Sequence, residues 1–135
     1  MNELIYTCVQ ALHNLGAVAV VASPVLALGR AGRNGAFERR LAWALLFAWG
    51  LQAASGAGFA AASYGLKGAL PDVTGVALVS LVVKLTATAT GFALAAGLLG
   101  LRRLASPRPR AIAWSVCLGV AVAALLAAAP LRWYL

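Results

Sequence analysis

Four apolar stretches, near residues 4–28, 41–64, 74–100 and 111–130, dominate the sequence. Each is at least as long as the roughly 20 residues a helix needs to cross a bilayer. Only helices and closed barrels satisfy their backbone polar groups inside lipid. Runs this long and this continuous fit helices. The expected fold is therefore all-α: an integral membrane antiparallel four-helix bundle forming one domain over residues 1–135. Composition agrees, because charged residues make up 10% of the chain against about 25% in a water-facing domain. The segment before the first stretch, Met-Asn-Glu, carries no basic residue. The stretch itself is longer than the roughly 7–15 apolar residues of a signal peptide, so it is expected to persist as a mature helix.

The net charge of +8 does not imply a nucleic-acid partner, because the positive residues collect in two connecting segments. Arg30, Arg33, Arg39 and Arg40 lie in 29–40, and Arg102, Arg103, Arg108 and Arg110 lie in 101–110. The segment between them, 65–73, carries only Lys67 and Asp72. Cytoplasmic loops of membrane proteins are enriched in Lys and Arg. Both arginine segments are thus expected in the cytoplasm of a bacterial-type inner membrane, with both termini on the outer, periplasmic side. Trp133 and Tyr134 fit interfacial anchors. Pro71 lies in the middle connection, and Ser-Pro-Arg-Pro-Arg at 106–110 predicts a stiff break before the fourth helix. Pro24 falls near the inner end of the first helix, where a kink is tolerable. Cys8 and Cys117 fall at different depths, which argues against a disulfide, and both are expected to be buried as small apolar residues.

Small residues recur, as in ASGAGFAAAS at 54–63 and at Gly91, Ala95 and Ala96, and such faces let helices approach closely in lipid. The polar residues at depth carry more information. At about 1.5 Å per residue, His13, Gln52 and Lys84 all fall roughly 14–18 Å from the outer ends of their helices. Three helices thus place their strongest polar group in one layer near the midplane. Tyr6, Gln10 and His13 share a stripe that Gly16 and Ala17 extend as a notch, and Ser80, Lys84, Thr88 and Gly91 share another. Both stripes are expected to face the bundle interior.

Lys84 has no carboxylate at its depth, since the three acids, Glu3, Glu38 and Asp72, lie at helix ends or in loops. A charge at mid-helix costs about 2.5–3.5 kcal/mol or more. Lys84 therefore either snorkels to water, sheds its charge, or pairs with an anionic ligand. His13, the single histidine, either bonds to Gln52 or a helix carbonyl, or ligates a metal. A copper or zinc site asks for three or four protein ligands, and the sequence gathers none beside His13. Haem asks for one or two axial ligands, an apolar slot and a cation for its propionates. His13 and Lys84 are the candidates, with Gln10 and Gln52 as supporting hydrogen-bond partners.

At these residues the chain resembles two related groups. The carriers are "LHNLGAVAVVAS" with His13 and the small pair Ala22-Ser23, "FERRLAWALLFAWGLQAASG" as a basic entry to the second helix, and "ALVSLVVKLTAT" with Lys84. They look like the CopD-type copper-resistance membrane domains and the HemJ-type protoporphyrinogen oxidases, over about residues 5–105. The HemJ-type resemblance implies a four-helix b-haem protein with His13 as haem ligand and Lys84 needed for function. The CopD-type resemblance implies copper uptake or handling at the inner membrane. Three readings follow. One is a b-haem redox protein serving a quinone or porphyrin-like molecule, in which a symmetric dimer could share one haem between two copies of His13. The others are a copper-handling protein and a cofactor-free accessory subunit of a larger membrane complex. A homo-oligomer fits any of them.

Overall fold

The computed structural model describes residues 2–30, 35–68, 73–100 and 107–134. These are almost wholly helical: α1 (Asn2–Gly29), α2 (Gly35–Lys67), α3 (Gly75–Gly100) and α4 (Pro107–Tyr134). All four contain spans long and apolar enough to cross a membrane: Leu4–Gly29, Gly35–Gly65, Gly75–Gly100 and Arg108–Leu131. Large apolar side chains on every helix, among them Leu15, Phe47, Val79 and Leu126, are exposed. In lipid that is the stable place for them.

Two helices begin earlier than the apolar pattern suggests. α2 starts at Gly35 rather than near 41, so Arg39 and Arg40 ride on a helix and not in a loop. Its first turn holds Glu38, favourably placed at a helix N-terminus, and Arg110 of α4 pairs with that carboxylate at 3.7 Å. Arg30 meanwhile lies 4.9 Å from the centre of the Phe37 ring. α4 starts at Pro107 rather than near 111. The Pro-Arg-Pro run forms its first turn and is no break there, because first-turn N–H groups have no intrahelical partner to lose. α4 also continues through Pro130, and α1 through the fully buried Pro24. One turn of α1 is reinforced by Ser23 Oγ, which donates to Ala19 O at 2.7 Å. Arg33, Pro71, Asp72, Arg102 and Arg103 lie outside the described residues, as do the side chains of Glu3, Lys67, Trp133 and Tyr134. Cys8 is exposed, contrary to the expectation of burial; Cys117 is buried, and both are free thiols.

The helices touch in a ring. α1 contacts α2 and α4, and α3 contacts α2 and α4. Among the described residues, the backbones of α1 and α3 do not approach each other, nor do those of α2 and α4. Any link across a diagonal must therefore come from long side chains, as Arg110 to Glu38 does at the end where α1 leads into α2.

Packing divides the bundle along its length. The apolar core comprises Val20 and Ala27, Leu41 to Trp49, Ala87 and Ala95, and Trp114 to Ala124. Most of it lies toward the α1–α2 connection, although Ala121 and Ala124 reach past the middle of α4. A close contact within it is the Trp49 indole against the Gly91 backbone, where a Cβ would fall inside the ring's van der Waals envelope. Ser23 and Glu38 are buried at the α1–α2 end, while toward the chain termini lie the buried polar residues Gln52, Ser55 and Ser80, beside buried Ala77 and Leu131. There Tyr6 OH lies 3.3 Å from Ser63 Oγ, and a Cβ on Gly58 would rest at ordinary contact distance from Val9.

Gly91→Ala should lower stability by about 1–3 kcal/mol, the usual cost of overpacking, because the obstacle is an aromatic ring with no room to turn. Gly97→Ala, which meets nothing within 4 Å, should not destabilise the protein. Thermal unfolding in detergent, followed by tryptophan fluorescence, separates the two.

Candidate functional site

The polar half converges on His13. Its ring is held edge-on to Phe59, with ring centres 5.8 Å apart and planes at 75°. Phe59 is itself flanked by Tyr6, at 6.1 Å between centres. Ser55 of α2 lies 2.7 Å from His13 Nδ1. The same serine hydroxyl donates to Leu51 O, at 2.7 Å one turn back along its helix. A hydroxyl has a single hydrogen. With that hydrogen on Leu51 O, Ser55 Oγ accepts, and His13 Nδ1–H is the donor. That assignment of the hydroxyl hydrogen places the ring's remaining lone pair on Nε2.

Lys84 Nζ takes that lone pair at 3.1 Å. The contact spans the α1–α3 diagonal, so the lysine side chain reaches across the centre of the bundle. Thr88 Oγ1 donates to Lys84 O at 2.9 Å one turn further on. Gln52, buried on α2, donates through Nε2 to His13 O at 2.5 Å. Gly16 makes room for this carboxamide; a Cβ there would stand 2.7 Å from Gln52 Nε2. The result is a relay in order Leu51 O, Ser55, His13, Lys84, with Gln52 locking α1 to α2 beside it. Glu38, the one acid with a described side chain, is engaged with Arg110 at the other end of the bundle.

The expected layer of His13, Gln52 and Lys84 is thus brought together, with two changes of partner. Gln52 holds the His13 backbone and not its ring. Lys84 meets His13 directly and neither snorkels nor stands alone. Gln10 departs from the expected arrangement: it is exposed, and its Nε2 donates to Asn14 Oδ1 at 2.9 Å. One position along α1 separates a side chain that faces α2 from one that faces outward. On α3 the expected inner stripe is realised at Ser80 and Gly91, both buried, while Ala96 is exposed.

Ser55 is the functional candidate that sequence reasoning passed over. Its signal was its position three residues after Gln52, on the same helix face. Trp49 is another. It is buried in the layer below, and its indole N–H has no hydrogen-bond partner.

Among the described residues, no three His, Cys, Asp or Glu side chains gather to hold a metal ion. Ligating histidines characteristically donate their second ring N–H to a fixed acceptor, and Ser55 is placed to be one for His13. His13 Nε2 meets the amine of Lys84. No protein-family model matches this chain, and neither the characterised proteins nor the solved structures compared with it give a match.

Because the chain has one histidine, labelling histidine with nitrogen-15 reports this site alone. Solid-state spectra in lipid should show the Nδ1–H tautomer. Ser55→Ala should shift the Nδ1 resonance and broaden the ring signals; an Nε2–H tautomer in the native protein would contradict the assigned relay.

Proposed function

We propose that this chain is a b-haem-binding redox protein of a bacterial-type inner membrane. The proposed arrangement is an antiparallel four-helix bundle with both termini outside and the arginine-rich connections in the cytoplasm. The described arginines at the α1–α2 end, Arg30, Arg39, Arg40, Arg108 and Arg110, support that orientation. The carrying observation is the Ser55–His13–Lys84 relay, which presents one imidazole lone pair to the centre of a membrane bundle beside a single cation.

His13 Nε2 would hold the haem iron, with Ser55 holding the ring and Gln52 holding the backbone behind it. Bound there, b-haem would supply one-electron transfer. Lys84 and iron would compete for the same lone pair. Loading would therefore turn Lys84 away from Nε2 and leave its amine for a propionate or for the carboxylate of a porphyrin-like substrate. Gln10, exposed and bonded to Asn14, has no part in this arrangement. Thr88 anchors the lysine's turn of α3. Phe59 keeps one edge of the His13 ring apolar. A quinone or a porphyrin-like molecule is the proposed redox partner, and oxidoreductase the proposed class.

The test is the absorption spectrum of protein purified in detergent after expression with added haem, oxidised and then reduced with dithionite. The expected result is a Soret band with a sharp reduced α-band, lost in His13→Ala. Lys84→Ala should keep the haem, since it removes a competitor for Nε2, while losing turnover of a carboxylate-bearing substrate. A colourless native protein would refute the haem reading.

A further inference from the structure

α1 leaves one side uncovered. Leu4, Thr7, Ala11, Asn14, Val18, Val21 and Val25 follow each other at alternating spacings of three and four. That is a heptad seam, the pattern that faces a partner helix in a left-handed pair. All but the half-buried Val21 are exposed; Leu4 is 68%, Val18 66% and Val25 49% exposed. The seam lies roughly 130° round α1 from His13, counting 3.6 residues per turn, so it is separate from the site described above.

The middle of the seam is polar. Asn14 is exposed at membrane depth, and Gln10 beside it donates to Asn14 Oδ1. That bond takes one lone pair of Asn14 Oδ1; both carboxamides belong to exposed residues and keep further donors and acceptors for a partner. An exposed carboxamide in hydrocarbon is costly unless another polar group meets it. A shallow, open depression lies here, lined by Tyr6, Thr7, Gln10, Ala11 and Asn14. Small Ala11 allows close approach.

We infer that α1 pairs with α1 of a second copy of this chain, in parallel and in register about a two-fold axis normal to the membrane. Two-fold pairing places the same residues opposite each other. It brings the carboxamides of Asn14 and Gln10 against their own counterparts. The surface is self-complementary, and that argues for a second copy over an unrelated helix. A polar residue at one core position of such a seam also fixes its register. The inference does not depend on haem.

The experiment is disulfide trapping of the full chain in phosphatidylcholine vesicles, in a Cys8→Ser background that leaves the buried Cys117 in place. Ala11→Cys and Val18→Cys should give a covalent dimer on mild oxidation. Leu12→Cys, which is exposed on another side of α1, should remain monomeric. Asn14→Ala should weaken dimerisation about three- to thirtyfold by energy transfer at limiting protein-to-lipid ratio, the range expected for a membrane hydrogen bond, and Asn14→Gln should restore much of it. Equal trapping at Leu12→Cys, no trapping at either seam position, or an unchanged Asn14→Ala dimer would overturn the assignment.

Discussion

The Lys84–His13 contact ties together two helices, α1 and α3, whose backbones do not approach each other among the described residues. α1 and α3 stand on opposite corners of the ring, so only a long side chain can link them. In lipid there is no hydrophobic force to press helices together, and hydrogen bonds and close packing take over. The contact also accounts for two groups at once. A lysine at mid-depth without a carboxylate needs a lone pair, and a histidine whose Nδ1 donates has one to give. The remaining polar residues follow from that choice. Ser55 holds the ring at Nδ1, Gln52 and Gly16 seat α1 on α2, and Thr88 secures the turn from which the lysine extends.

The two ends of the bundle use different means of cohesion. Toward the α1–α2 connection, small residues, two tryptophans and the Glu38–Arg110 pair make a close-packed core. Toward the termini, hydrogen bonds between side chains do the joining. The boundary falls at the Trp49–Gly91 contact, one layer from Gln52. The unpartnered indole N–H of Trp49 belongs to this boundary, where packing took precedence over hydrogen bonding.

Much of this was legible in the sequence. Four helices followed from apolar length alone, and the shared depth of His13, Gln52 and Lys84 followed from counting residues. Helix ends were less legible, because hydropathy stops at the first arginine while the helix does not. α2 runs back to Gly35 through Arg40 and Arg39, and α4 uses Pro107 as a starting residue. Partners were least legible. Periodicity put Gln10 on the same stripe as His13, yet the two lie on either side of the line where α1 leaves the interior. Gln52 and Ser55 are both inward-facing on α2, and only their three-dimensional reach decides which meets the imidazole and which the backbone.

The division of the bundle sorts its residues by the kind of change they tolerate. Tyr6, Ser63, Ser55, His13 and Lys84 are joined by hydrogen bonds, so a substitution there takes away a partner. Trp49 and the alanine- and leucine-rich core are joined by shape, so a substitution there changes a volume. The same bundle thus answers to chemistry at one level and to size at the next.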